Sequence, residues 1–209
     1  MSLAKQLAYS TEETLLFTRD CAARLKDTDG DYVECGVAAG GQVIAMAVGA
    51  PNKIIHAFDS FEGIPLPSNK DDQMPGIKFL TTSEQLQLPN PGSQKLESSG
   101  ATAVPEHEFI FNIRSAVPDI KIVIHRGWFE NTVEKADIEK IALLRLDGDL
   151  YNSTMVCLKA LFPKVISGGI VIIDDWQLAG CRLACEDYFQ SINYVPAYFP
   201  ISNTVYFKK

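Results

Sequence analysis

The chain has 209 residues, of which 46% are hydrophobic and 22% are charged, as expected for a globular protein large enough to bury a core without structural staples. Its formal net charge of −7 and the lack of any Lys/Arg run argue against a nucleic-acid backbone as the main partner. No apolar run approaches the length of a membrane span, and no basic-then-apolar signal pattern opens the sequence.

The predicted elements alternate between helices and strands. The first helix, Thr11–Lys26, is amphipathic, with Thr11 as its N-cap and two acids in its first turn. The alternation predicts one α/β domain over residues 1–209 with a parallel sheet. The predicted strands are Tyr32–Val37, Lys53–Phe58, Ile120–His125, Ile141–Leu146 and Ile170–Ile173, followed by a terminal hairpin of Tyr194–Pro200 and Thr204–Phe207. The further predicted helices are Gln42–Val48, Glu106–Val117, Ala136–Lys140, Asn152–Phe162 and Gly180–Ile192.

The least regular part of the sequence is Gly63–Pro105, which is rich in proline, serine and glycine. A stretch of this length without regular structure in a compact domain is usually a lid, a binding loop or a disordered segment. Because it follows the strand that ends before Asp59, we expect it to fold over a pocket, to be mobile without ligand and to contact the substrate.

The stretch Val33–Gly41, which contains Glu34, Gly36 and Gly40, is predicted to be the first strand, a glycine turn and the start of a helix. Glycines at such a turn let a ligand approach the backbone and the N-terminus of the next helix. Asp59 ends the next strand, about 20 residues further on, where nucleoside-binding α/β proteins hold the ribose hydroxyls. The alternative is that Asp59 only starts the turn that follows it.

Four acids follow two predicted strands that flank one helix. Asp147 and Asp149 come after the first strand, and Asp174 and Asp175 come after the second. Because the strands of a strand–helix–strand unit are parallel, these carboxylates should meet at the carboxyl edge of the sheet, where open α/β sheets bind ligands. Each acid taken alone is explained equally well as a helix cap. Converging carboxylates repel one another, however, and therefore indicate a hard metal ion with oxygen ligands.

Glu34 discriminates between two nucleoside-containing cofactors. It stands where a dinucleotide-binding turn has its first glycine, and a carboxylate there repels a pyrophosphate but can pair with an amino group. This favours S-adenosylmethionine over NAD and makes a dehydrogenase the weaker alternative.

The five cysteines form no CxxC pair, so we expect reduced, mostly buried thiols in a cytoplasmic protein. Cys181 and Cys185 are one helical turn apart, but the three histidines do not obviously complete a zinc site.

The pattern E-x-G-x-x-x-G at Glu34–Gly40 resembles motif I of class I S-adenosylmethionine-dependent methyltransferases. More specific segments resemble the macrocin O-methyltransferase (TylF-type) family, from about Tyr32 to Phe189. These segments are Asp59–Pro65, Gly127–Phe129 with Thr132, Arg145–Thr154 and Gly168–Trp176. The resemblance implies a Rossmann-like fold with a mostly parallel seven-stranded sheet, helices on both faces and a C-terminal antiparallel hairpin.

The resemblance also implies roles for the acids at the sheet edge. Asp147, Asp174 and Asp175 match the family's Mg²⁺ ligands, and Asp149 matches its presumed general base. The cofactor-binding residues that the resemblance implies are Glu34, Gly36, Gly40, Asp59, Ser60, Gly127, Trp128 and Asp147. Trp128 could stack on the adenine or could equally be a rim-packed core residue.

The implied reaction is methyl transfer from S-adenosylmethionine to a hydroxyl of a sugar or glycosylated small molecule, with Mg²⁺ lowering the pKa of that hydroxyl. His56, His107 and His125 are rival bases, and we interpret His56 and His125 as structural. A catechol-type methyltransferase and a non-catalytic nucleoside-binding module are the alternative functions. The expected partner is a small-molecule acceptor rather than nucleic acid or membrane, and a homodimer is expected from symmetry.

Overall fold

The computed structural model describes residues 1–71 and 98–209, so the middle of the predicted lid, residues 72–97, lies outside the described residues. The strands are β1 Asp31–Cys35, β2 Ile55–Asp59, β3 Ile122–Arg126, β4 Ile141–Leu146, β5 Val165–Ile173, β6 Phe199–Ile201 and β7 Thr204–Lys208. Within these ranges the seven strands form one sheet in the order β3-β2-β1-β4-β5-β7-β6. Strands β1 to β5 are parallel, and β7 runs antiparallel to both β5 and β6.

Helices cover both faces of the sheet. The helices are α1 Ser2–Leu7, α2 Glu12–Leu25, α3 Gly41–Gly49, α4 Glu106–Ala116, α5 Phe129–Thr132, α6 Tyr151–Leu161 and α7 Ala179–Ser191. Side chains alternate between faces along a strand, so Tyr32 packs in the core cluster with α2, α3 and α4. Its neighbour Val33 packs in the cluster with α6 and α7 on the opposite face.

This architecture confirms the predicted α/β fold with a C-terminal antiparallel hairpin. Helix α2 begins as predicted, because the hydroxyl of Thr11 accepts a hydrogen bond from the Thr14 amide at 3.2 Å.

The prediction of a helix over Ala136–Lys140 is wrong. Helical turns precede it, in α5 and at Val133–Lys135, and Ala136 is extended. Ala136 and Ile138 are buried in the core on this extended segment, so burial rather than helical spacing explains their apolar character.

The two ends of the predicted lid lie side by side. Pro65 and Ser98 form an isolated antiparallel bridge. The amide of Ile64 donates to the carbonyl of Ala101 at 3.0 Å, and the carbonyl of Ile64 accepts from the Ser99 amide at 2.9 Å. The two ends of the predicted lid are therefore joined to each other by backbone hydrogen bonds.

All five cysteines are free and buried, as predicted. No helix in the described ranges is both long enough and apolar enough to cross a membrane.

Two histidines and an aspartate form a hydrogen-bonded chain across β1, β2 and β3. Nε2 of His56 lies 3.2 Å from a carboxylate oxygen of Asp31, and Nδ1 of His56 lies 3.0 Å from Nε2 of His125. The His125 ring also stacks on Phe58, with ring centroids 4.1 Å apart. Burial, with a smaller contribution from neighbouring His56, lowers the pKa of His125 to about 4. His125 is therefore neutral in the folded protein at neutral pH.

We predict that stability falls between about pH 6.5 and pH 4 because of His125. The unfolded chain binds a proton near the ordinary histidine pKa of about 6.5, whereas folded His125 resists protonation, so its contribution is complete above that pH and is lost below it. Urea unfolding at pH 7.5 and pH 5.0 measures the loss. In H125Q, which cannot titrate, the difference in unfolding free energy between the two pH values should be smaller. An equal difference in both proteins would contradict the assignment.

Candidate active site

A cavity of about 250 Å³ opens at the carboxyl edge of the sheet, where β1, β2, β4 and β5 end. The residues that line it come from the turns after these strands, from the segment after β3, from the ends of the predicted lid and from the N-terminal segment. They are Tyr9, Gly36, Ala38, Asp59, Ser60, Gly63, Ile64, Pro65, Thr102, Trp128, Phe129, Glu130, Asp147, Gly148, Asp149, Ser153, Asp174, Asp175 and Gln177.

Three aspartates converge on one side of the cavity. Asp147 follows β4, and Asp174 and Asp175 follow β5, the neighbouring parallel strand. One carboxylate oxygen from each lies within 4.8 Å of the others. Oxygen donors grouped in this way suit a hard divalent cation. The structure thus brings together the three acids that were predicted to bind metal.

A buried arginine holds two of these aspartates from behind. Arg145 in β4 has no exposed surface, and its Nη1 donates to Asp147 at 2.7 Å and to Glu34 at 2.7 Å. Its Nη2 lies 2.7 Å from Asp174 in an ionic contact that lacks hydrogen-bond geometry. Glu34 stands opposite Arg145 in the register of β1 and β4, so the guanidinium links three adjacent strands.

The cavity carries a large excess of negative charge. Six of its lining residues are acidic, and among the described lining residues none is basic. Burial and repulsion from Asp174 raise the pKa of Asp147 to about 6. Burial and, next, repulsion from Asp149 raise the pKa of Asp175. These carboxylates therefore lack sufficient positive charge around them, and a cationic ligand would relieve the repulsion.

Asp149 lies beside the three aspartates in an uncommon backbone conformation. Its φ of 58° is in the left-handed region, which Asp and Asn enter more readily than most residues do. Its amide donates to a carboxylate oxygen of Asp175 at 2.8 Å. Burial and repulsion from Asp147 raise the pKa of Asp149 to about 7. Its carboxyl group is thus poised to exchange a proton near neutral pH.

Asp59 closes the opposite side of the cavity by binding the glycine turn after β1. One of its oxygens accepts from the amides of Val37 at 2.9 Å and Ala38 at 3.0 Å, and the other accepts from Phe61 at 2.7 Å. Asp59 therefore both lines the cavity and fixes the turn, so starting a turn is only part of its role.

The two glycines of this turn are required for different reasons. Gly36 has a φ of 88°, and a Cβ there would lie 1.9 Å from the carbonyl oxygen of Asp147. Gly40 has a φ of 95°, and a Cβ there would approach Ile113 to 2.7 Å and Phe109 to 3.1 Å. Gly36 allows the β1 and β4 turns to touch, whereas Gly40 allows α4 to pack on the start of α3.

The structure separates the sequence-predicted site residues into two groups. Those that line the cavity are Gly36, Asp59, Ser60, Trp128, Asp147, Asp149, Asp174 and Asp175. Glu34, Gly40 and Gly127 are not among the lining residues. Glu34 is 1% exposed and binds Arg145, so it supports the site from behind its wall. His56 and His125, the rival bases, are bound to one another and are not among the lining residues either.

Sequence reasoning missed the role of Arg145 and the contributions of Glu130, Gln177 and Ser153 to the cavity wall. A charged residue inside an otherwise apolar strand was the available signal for Arg145, because such a residue must find a buried partner.

Comparisons with known proteins identify the family of the chain. The family model of macrocin O-methyltransferase (TylF) matches residues 14–209. The chain is 35% identical over 165 residues to the 8-demethyl-8-(2,3-dimethoxy-alpha-L-rhamnosyl)-tetracenomycin-C 4'-O-methyltransferase of Streptomyces olivaceus, covering 76% of this chain and 58% of the relative. It is 34% identical over 166 residues to the demethyldecarbamoylnovobiocin O-methyltransferase of Streptomyces niveus, with the same two coverages.

Among solved structures, the O-methyltransferase NovP superposes with a TM-score of 0.75 at 29% identity, covering 94% of this chain and 79% of that one. The chain spans a little under three fifths of the length of the two curated relatives from Streptomyces olivaceus and Streptomyces niveus. The match extends over the β1 turn, the aspartate cluster and the terminal hairpin, and the chain belongs to the macrocin O-methyltransferase (TylF) family.

Proposed function

We propose that the protein is a Mg²⁺-dependent O-methyltransferase that moves the methyl group of S-adenosylmethionine to a hydroxyl of a sugar or glycosylated small molecule. The observation that carries this proposal is the convergence of Asp147, Asp174 and Asp175 within 4.8 Å, beside a cavity that the β1 turn and Asp59 also line. The S. olivaceus relative is named for methylation at a rhamnosyl-bearing natural product, which supports a sugar-linked acceptor.

The donor set fits Mg²⁺. Asp147, Asp174 and Asp175 offer carboxylate oxygens, which Mg²⁺ and Ca²⁺ prefer over nitrogen and sulfur. Arg145 contacts one oxygen each of Asp147 and Asp174, so it orients both carboxylates, and within residues 1–71 and 98–209 it leaves the second oxygen of each for an ion. The raised pKa values of Asp147 and Asp175 are those of a cluster that a divalent cation would stabilise.

The rest of the cavity fits S-adenosylmethionine better than a dinucleotide. A sulfonium and an amino group are cationic, whereas a pyrophosphate would face six acids and no basic residue among the described lining residues. Gly36, Asp59, Ser60 and Trp128 line the cavity and are the residues to which we assign cofactor contacts. To Glu34, which is buried, we assign the orientation of Arg145 instead of direct contact.

Asp149 is the group that we assign as general base. A carboxylate that binds a metal is a poor base, and Asp149 is not one of the three clustered ligands. When bound, Mg²⁺ would lower the pKa of an acceptor hydroxyl and S-adenosylmethionine would supply the methyl group. Asp149 accepts the hydroxyl proton, and the bond from its amide to Asp175 keeps it beside the cluster. Phe129, Ile64 and Pro65 supply apolar wall that excludes water from the cavity.

We predict that S-adenosylhomocysteine binds the purified protein in calorimetric titrations both with Mg²⁺ and with excess EDTA. Mg²⁺ should bind separately, because its ligands lie on β4 and β5 whereas Asp59 and the glycine turn lie on β2 and β1. In D174N the Mg²⁺ affinity should fall at least tenfold, while S-adenosylhomocysteine affinity stays within about twofold. The exposed Asp119, changed to Asn, is the matched control. No binding of S-adenosylhomocysteine in either condition would refute the cofactor assignment.

We predict that D149N loses about 10²–10⁴-fold in kcat, the usual contribution of general-base catalysis. Asn tolerates the left-handed backbone at this position, so the change removes the base without straining the turn. Turnover is measured as S-adenosylhomocysteine release, with demethyldecarbamoylnovobiocin and 8-demethyl-8-(2,3-dimethoxy-alpha-L-rhamnosyl)-tetracenomycin-C as trial acceptors. Cofactor and Mg²⁺ affinities should match the wild type. Full activity in D149N would remove the assigned role.

A further inference from the structure

The first residues of the predicted lid bind helix α6, which begins just after Asp149. Helix α6 begins at Tyr151, and the preceding Leu150 has an apolar side chain that cannot accept a hydrogen bond from the free amides of the first turn. A residue from the lid does so instead. A carboxylate oxygen of Asp71 accepts from the Tyr151 amide at 2.8 Å. The negative charge of Asp71 also interacts favourably with the positive end of the helix dipole.

Both carboxylate oxygens of Asp71 accept hydrogen bonds, although the residue belongs to an irregular segment. It is 1% exposed, and its second oxygen accepts from the amide of Ser68 at 2.9 Å and from its hydroxyl at 2.6 Å. The Asp71 amide in turn donates to the Ser68 carbonyl at 2.9 Å. A buried carboxylate is stable only when it is bonded in this way, so the turn from Ser68 to Asp71 has a specific place on α6.

A second contact holds the same turn against α6 and α7. The ammonium of Lys70 lies 3.7 Å from the centroid of the Tyr151 ring and 3.5 Å from the carboxylate of Asp187 in α7. The hydroxyl of Tyr151 donates to that same carboxylate at 2.7 Å. The Lys70 contacts are at the surface and contribute less than the buried bond to Asp71.

A single residue, Leu150, separates Tyr151 from Asp149. The short turn between them is held at Asp149, whose amide donates to Asp175, and at Tyr151, whose amide donates to Asp71. Asp149 itself has a left-handed backbone, which persists only where the surrounding structure fixes it. Loss of the bond at Tyr151 would therefore loosen Asp149 and, through its amide, the carboxylate of Asp175.

We propose that Asp71 is a positioning residue that fixes the turn from Asp147 to Tyr151 from outside the sheet. It holds Asp149 in its reactive place by accepting the hydrogen bond of the Tyr151 amide at the start of α6. This inference rests on the proposed function for the roles of Asp149 and Asp175, but the capping of α6 by Asp71 can be measured without them.

The test compares D71A with S68A, which removes one bond to Asp71 but leaves the bond to Tyr151. Amide-resolved hydrogen exchange should show the Tyr151 amide exchanging at least tenfold faster in D71A and at the wild-type rate in S68A. Calorimetry should show Mg²⁺ affinity reduced about three- to tenfold in D71A, with S-adenosylhomocysteine affinity within about twofold of the wild type. D71N keeps one acceptor oxygen for Tyr151 and should restore part of both losses.

A cap that only stabilised the protein would lower the melting temperature but leave Mg²⁺ affinity unchanged. Unchanged exchange at Tyr151, or unchanged Mg²⁺ affinity in D71A, overturns the proposal. If D71A does not fold, D71N is judged by the same two measurements. If the wild type binds no Mg²⁺, the proposed metal site fails, and the exchange rate of Tyr151 alone decides whether Asp71 holds this turn.

Discussion

The arrangement of the site depends on one guanidinium buried among carboxylates. Transfer of an ion from water into a protein interior costs several kcal/mol, and Arg145 offsets this cost only because Glu34, Asp147 and Asp174 all contact it. Those three acids belong to β1, to the end of β4 and to the end of β5. The same ion pairs that make burial of Arg145 tolerable therefore bring the end of β1 and the aspartate cluster into register.

The negative charge of the cavity favours cationic ligands over anionic ones, whatever their shape. Acids from the ends of β2, β4 and β5 meet where α/β sheets usually present helix N-termini to phosphates. In this protein the glycine turn after β1 has its free amides occupied by the Asp59 carboxylate, at Val37 and Ala38. These amides, which bind an anionic ligand in other α/β proteins, thus already donate to a carboxylate of the protein itself. The remaining cavity surface favours cations and hydroxyl groups.

The sheet and the aspartate cluster could be predicted from sequence because both follow from local pattern. Apolar runs that end in acids give the strands, and parallel pairing alone brings Asp147 and Asp175 to one edge. Other features depended on partners distant in sequence. A glycine is needed at position 40 because Phe109 on α4 packs against it. The buried position of Arg145 depends on Glu34, its partner in the neighbouring strand β1. The false helix at Ala136–Lys140 had the same cause, since its apolar residues are buried on extended chain.

Because the two ends of the predicted lid are bridged, the segment between them could be replaced by another sequence. Ile64 bonds to both Ser99 and Ala101, so the segment between them begins and ends at one closed point. The loop-closure entropy for replacing it changes only slowly with length, by about 0.6 kcal/mol per doubling. Segments of different length and chemistry could therefore be grafted between these ends without reordering the sheet. A graft that keeps Ser68 and Asp71 would also keep the hydrogen bond from the Tyr151 amide at the start of α6.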